Sequence, residues 1–144
     1  SELPLKLVIA GGGPDEASLK QQAENLKINQ LILWPGMIDQ PSLVTFMHSS
    51  SIMVVPSRME PMGMVVAEGL AAGCTMVVAR QGGLPEVGGS FCHYFEPDNA
   101  ADLCRALQEA LTCPMRPDPA ALQQHLQQFT VEYSVGQVVG MLGS

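Results

Sequence analysis

Apolar runs and amphipathic stretches alternate along the chain. Leu5 to Ala10 (LKLVIA) reads as a strand, stopped by three glycines. Over Asp15 to Leu26, Ala17, Leu19, Ala23 and Leu26 are apolar while Lys20, Gln21, Gln22 and Glu24 are polar, the spacing of a helix with one dry face. Leu31 to Trp34 is a short strand ending at Pro35-Gly36, and Pro41 to His48 a short helix with Asp39 as its cap. Ile52 to Val55 is another strand, closed by Pro56-Ser57. Gly63 to Ala72 predicts a helix stopped by Gly73. Thr75 to Ala79 (TMVVA) is a buried strand, and Gly82-Gly83 turns into a short helix at Pro85. His93 to Phe95 is the last strand. Asn99 to Leu111 is an amphipathic helix capped by Asn99. Pro114, Pro117 and Pro119 then interrupt the chain, and two helical pieces follow, Pro119 to Phe129 and Val131 to Leu142.

Apolar strands alternating with helices predict an α/β fold, a Rossmann-like parallel sheet with helices on both faces. A chain of 144 residues is long enough to bury a core, and it is expected to form a single domain over 1–144. There is no internal repeat, and the only linker-like piece is Cys113 to Pro119. No apolar run is long enough to span a membrane, and the N-terminus lacks the basic start of a signal peptide.

Charge and cysteines narrow the classes further. A net charge of −7 argues against general nucleic-acid binding, which needs clustered Lys and Arg, yet leaves open a nucleotide held by backbone N–H groups. Cys74, Cys92, Cys104 and Cys113 contain no CxxC pair and read as reduced core or surface residues of a cytoplasmic protein. His48, His93 and His125 are scattered and form no HExxH, so no metal is expected.

The stretch "AGGGPDEASL" follows the first strand and opens a helix, with Pro14 expected in the first helical turn. Gly11-x-Gly13-x-x-Glu16 lacks the third glycine of a dinucleotide loop, and no acidic residue ends the next strand. The turn reads as a tight strand-to-helix corner where glycines let the backbone bend or approach a ligand.

The most informative stretch is "PSRMEPMGMVVAEGLAAG", Pro56 to Gly73, with Glu60 and Glu68 eight residues apart. A helix apolar all round is buried, and a buried carboxylate needs partners. Glu68 therefore either faces a polar cleft or binds something, and a vicinal diol suits a carboxylate that accepts two hydrogen bonds. Glu60 precedes a helix start at which the N–H groups of Met62, Gly63, Met64 and Val65 converge, a place that favours phosphate. The plainer alternative is a solvent-facing Glu68 with Glu60 supporting the helix dipole. Paired carboxylates also occur in glycoside hydrolases, but those flank a sugar in an open cleft and are not tied to a helix-start anion site.

At these residues the sequence closely resembles the donor-site segment of retaining GT-B glycosyltransferases of the family 4, group 1 type, whose E-x7-E motif Glu60 and Glu68 fit. The resemblance extends through "LVIAGGGPDEASLK", "LILWPGMIDQPSLVTFMHSSSIMVVPS", "VVARQGGLPEVGG" and "FEPDNAADLCRALQEALTCP" to the closing "FTVEYSVGQVVGML". It implies the C-terminal, donor-binding domain of such an enzyme, with helices over about 118–142. Glu68 would hold the ribose hydroxyls of a nucleoside diphosphate sugar, and Glu60, the catalytic residue the resemblance implies, would sit against the donor sugar. Met62, Gly63, Met64 and Val65 would cradle the phosphate. Gly36, Met37 and Ile38 would lie along the base, Gly11 and Gly13 beside the donor, and Gly82 and Gly83 in the neighbouring turn. Glu86 would belong to the start of that turn's helix.

Two departures bear on function. Met62 replaces the family's usual Phe, and the segment between Gly88 and Phe95 is altered. The family's preceding strand, with the G-R-L-x-x-x-K-G loop whose Arg and Lys neutralise the leaving diphosphate, has no counterpart here; nor does its acceptor-binding N-terminal domain. The expectation is a segment of a larger transferase, inactive in isolation and needing no cofactor beyond its donor. The acceptor domain would lie in the same or another chain, and any peripheral membrane contact would run through it. The alternative is a non-catalytic GT-B-like partner subunit, paired through an apolar gap where the first strand would lie. An epimerase sharing the fold would need further acids and a His that are not in place.

Overall fold

A computed structural model of the chain describes residues 5–56 and 64–132. The chain divides into two compact units, Ser1–Thr45 and Phe46–Ser144. Its class is α/β, with parallel strands and flanking helices. The described strands form two parallel sheets, one pair and one trio, where the sequence pattern alone pointed to one.

In the first unit, β1 (Leu7–Ala10) and β2 (Ile32–Gly36) run parallel, with Leu7 opposite Ile32 and Ala10 opposite Gly36. The register shifts between Val8 and Ala10. Between them lies α1 (Glu16–Asn25), which starts after Pro14 and so leaves that residue in the preceding turn, outside the first helical turn expected for it. The reason is local: Asp15 makes no side-chain cap bond, and the Glu16 N–H donates to the Gly13 carbonyl at 3.3 Å. α1 ends without a glycine. Lys27 takes the left-handed conformation (φ 60°), so its N–H reaches Glu24 O and that of Ile28 reaches Ala23 O, both at 3.0 Å. A single 3-10 turn (Asn29–Leu31) then takes Leu31 out of the strand assigned to it from sequence.

α2 (Gln40–Ser49) begins in the first unit. Asp39 caps it as expected, Oδ1 accepting from the Ser42 N–H at 2.9 Å, and hydrogen bonds from Ser42 hold its carboxyl below the usual carboxylate range. Among the described residues, every exposed large hydrophobic side chain except Leu111 lies in the first unit, including Leu7, Leu31 and Leu33.

The second unit holds β3 (Ile52–Val55), β4 (Thr75–Ala79) and β5 (Cys92–Phe95) in that order, all parallel. Every residue of the central strand β4 is buried, which is why TMVVA is a continuous apolar run apart from its first residue. α3 (Met64–Ala71) lies on one face of this sheet. It approaches so closely at Gly69 that a Cβ there would stand 2.5 Å from the Met76 Sδ and 3.1 Å from the Met53 Sδ. α3 ends as predicted at Gly73 (φ 91°), whose N–H reaches Leu70 O at 3.1 Å while that of Cys74 reaches Gly69 O at 3.1 Å.

α4 (Leu84–Gly88) sits on the same face, with Gly88 against Cys92 and Tyr94. Burial pushes the Cys92 thiol up to about 12. The opposite face carries α5 (Ala100–Thr112), since His93, alternate to Cys92 and Tyr94, lies 3.9 Å from Glu109 of that helix. α5 begins where expected: the Asn99 side chain accepts from the Asp102 N–H at 2.9 Å. Asp102 then joins the helix to β5, accepting from the Glu96 N–H and from Arg105, while Arg105 donates onward to the Tyr94 carbonyl at 2.9 Å.

α6 (Pro119–Glu132) continues through Thr130 and Val131, correcting the break expected after Phe129; no proline or glycine interrupts it there. The remainder of the closing helix expected to Leu142 lies outside the described residues. Cys74 and Cys92 are buried, Cys104 and Cys113 exposed, and all four are free. No described helix is long and apolar enough to cross a membrane.

Candidate functional site

In an open parallel sheet, ligands bind beyond the carboxyl ends of the strands. In the second unit that edge carries the chain after Val55, the Arg80–Gly83 turn after β4, and the Glu96–Asn99 turn after β5. Glu60, Met62 and Gly63 belong to the first of these and lie outside the described residues. Met64 and Val65 open α3, and Glu68 follows four residues after Met64, just over one turn into the helix. Val66 and Leu70 are fully or almost fully buried, whereas Val65 and Glu68, one turn apart, are half-buried. Glu68 is thus neither a solvent-facing surface residue nor a core one. It stands at the boundary of an otherwise apolar helix.

The neighbouring turn is rigidly built. Gly82 takes φ 57°, Gly83 caps α4, and the Leu84 N–H donates to the Gln81 carbonyl at 3.1 Å. Glu86 lies in the first turn of α4, as expected. At the far end of α4 the Tyr94 hydroxyl donates to Gly89 O at 2.6 Å, and burial holds its pKa above the ordinary tyrosine value. His125 of α6, lodged between Phe91 and Phe129, has Nε2 2.6 Å from Val87 O. Arg80 is committed elsewhere: its guanidinium lies 4.9 Å from the Tyr94 ring centre and 3.7 Å from a Glu96 oxygen.

Gln81 differs from its neighbours. Its Oε1 is buried and has no hydrogen-bond partner among the described residues. A buried acceptor left so costs ~1–3 kcal/mol. Nothing in the local sequence pattern around Gln81 separates a surface glutamine from a buried one, so its burial is not legible from the sequence.

The first unit brings two expected site residues together. The Gly11 N–H donates to Gly36 O at 2.8 Å, and both glycines have positive φ, 104° and 75°. Gly11, Gly12 and Gly13 line an open cleft of about 340 Å³ with Ile9, Leu19 and Trp34. Trp34, the chain's only tryptophan, was not expected there; Lys20 lies 5.7 Å from its ring centre. Met37 is 81% exposed, and Ile38 is half-buried. Among the described residues, no group of three or more His, Cys, Asp or Glu could hold a metal ion.

Comparison with known proteins decides the family. The profile described as "Glycosyl transferases group 1" matches residues 1–128. The chain belongs to that family. It is 32% identical over 120 residues to the glycogen synthase of Mycobacterium tuberculosis, covering 82% of this chain and 28% of that enzyme. In three dimensions it resembles the sucrose-phosphate synthase of Thermosynechococcus elongatus (TM-score 0.73, 21% identity), covering 95% of this chain and 38% of that one. It also resembles the C-terminal domain of the group 1 glycosyl transferase LpcC from Francisella tularensis (TM-score 0.67, 18% identity), covering 90% and 69%. These structures share the GT-B fold. The group 1 chain thus spans 28% of the length of its glycogen synthase relative.

Proposed function

We infer that the chain is the donor-binding, C-terminal domain of a retaining glycosyltransferase of the family 4 type. It binds a nucleoside diphosphate sugar, within a larger protein, for transfer to an acceptor hydroxyl. The observation that carries this reading is Glu68: a half-buried carboxylate on an otherwise apolar helix, eight residues after Glu60 in the E-x7-E spacing. The likeness to the C-terminal domain of LpcC supports the domain assignment.

In this reading Glu68 accepts hydrogen bonds from the ribose hydroxyls. The start of α3 at Met64 and Val65 offers N–H groups to phosphate oxygens, Met62 and Gly63 extend that cradle, and Glu60 faces the donor sugar. The difficult part of the reaction is charge building on the departing diphosphate, so electrostatic stabilisation dominates. In the second unit the Arg80 and Arg105 guanidiniums are engaged by Glu96, Asp102 and Glu109. In this reading the cations that neutralise the diphosphate, and the acceptor site, belong to the rest of the larger protein, as the family resemblance implies. This reading has the reaction in the cytoplasm, with no cofactor beyond the nucleotide sugar donor.

Turnover tests this. The full natural protein should release nucleoside diphosphate from a UDP-, ADP- or GDP-sugar and conserve the donor's anomeric configuration in the product, while the 144-residue chain alone should not turn over. A product of inverted configuration contradicts the retaining assignment. Turnover by the isolated chain contradicts the division of labour.

A further inference from the structure

The structure assigns Gln81 as a ligand-contacting residue that reads a hydroxyl of the donor's sugar moiety; the assignment rests on the donor-binding reading above. Gln81 sits immediately beyond the carboxyl end of β4, the buried central strand of its sheet. Its backbone is fixed on both sides: its N–H donates to Ala79 O at 2.9 Å, and its carbonyl accepts from the Leu84 N–H at 3.1 Å. Both bonds lie within the turn and engage the main-chain groups of Gln81, which leaves its side-chain amide as the polar group to account for.

That side chain is in a poor place for an amide. Oε1 is cut off from solvent without a hydrogen-bond partner among the described residues, although the residue as a whole is only half-buried. A methionine or leucine would fill the same space without the loss. Buried polar groups are nearly always paired, so each exception needs a cause; among the described residues the other is His93 Nε2 within β5, and Gln81 is the one at the edge where ligands bind. The residue follows closely on β4, at the strand ends where ligands bind such sheets.

The chemistry of the partner follows from the group. An uncharged amide offers one acceptor and two donors, the complement of a hydroxyl-bearing ring. Phosphate oxygens are better served by helix-end N–H groups and cations. The adjacent Arg80 is held against Tyr94 and Glu96, which leaves the amide as the uncommitted polar side chain of these two. A site that spends a buried amide on a hydroxyl discriminates strongly against analogues lacking it.

The test compares wild type with Gln81→Met and Gln81→Asn in the full natural protein. Calorimetry measures affinity for UDP, ADP and GDP and for UDP-glucose, UDP-N-acetylglucosamine, ADP-glucose and GDP-mannose; thermal unfolding is followed in parallel. Gln81→Met should leave the nucleoside diphosphate Kd within twofold, weaken the preferred nucleotide sugar at least tenfold, and keep or raise Tm. Gln81→Asn should fall between. Equal binding of every nucleotide sugar by wild type and Gln81→Met overturns the assignment. So does equal weakening of diphosphate and sugar nucleotide, or a Tm drop that accounts for the loss. A wild type that binds no nucleoside diphosphate at all removes the donor-binding reading itself.

Discussion

The Gly11 amide donates to the Gly36 carbonyl at 2.8 Å, tying the corner after β1 to the corner that ends β2. Both residues sit at positive φ, and a Cβ built on either meets nothing within 4 Å. Glycine is required there by backbone conformation alone.

Alanine at Gly11 or Gly36 should therefore destabilise by ~1–3 kcal/mol, since the strain has no steric relief. Gly13→Ala, with open space and no positive φ, should lie within about 0.5 kcal/mol of wild type. Urea midpoints of the three variants check this; equal losses at all three positions would show that crowding or ligand geometry sets the glycines.

Gly88 and Gly69 pose the opposite case, in which space decides. A Cβ at Gly88 would stand 2.5 Å from the Tyr94 hydroxyl oxygen, which is pinned by its bond to Gly89 O, and 2.8 Å from the Cys92 sulfur. At Gly69 the close atoms are the ends of Met76 and Met53, which swing away more easily. Gly88→Ala should cost ~1–3 kcal/mol and Gly69→Ala distinctly less. Thermal denaturation of the pair ranks them; the reverse order would mean that α3, and not α4, is the tighter contact.

Asp102 makes stability depend on acid. Its hydrogen bond with Arg105, then that from the Glu96 N–H, lowers its carboxyl pKa in the folded state. A depressed folded value means the stabilisation is complete above the unfolded carboxylate's pKa, about 4, and is lost as pH falls through the folded value. Asp102→Asn should thus lower Tm at pH 7 and lose less on going to pH 3 than wild type does. Because the pair reaches solvent through the exposed Arg105, added salt should shrink the difference. Parallel acid losses in both proteins would assign the effect to other carboxylates.

Much of this architecture is legible along the chain because it rests on local chemistry. β3 and β4 fall where apolar runs bounded by Pro56 and Gly73 put them, and Asp39, Asn99 and Gly73 act as the caps their types suggest. Long-range features were not legible. The Gly11–Gly36 bond depends on β1 pairing with β2, and strand order is not a property of either segment. The left-handed turn at Lys27 replaces a glycine signal the sequence lacks. The burial of Gln81 Oε1 depends on how a turn packs, which no periodicity records. Glu68 stood out in sequence for a simple reason: it is the one charge in an apolar helix.

The central claim is that Glu68 binds the nucleoside half of a sugar donor. The most direct measurement is the affinity of the full natural protein for UDP, ADP and GDP, wild type against Glu68→Ala, with Tm measured alongside. Loss of hydrogen bonds from a carboxylate to a ribose diol should weaken the preferred nucleotide at least tenfold, from ~1.5–3 kcal/mol per bond to a charged group, with Tm little changed. Unchanged affinity in Glu68→Ala, or no nucleotide binding by wild type, would contradict the account.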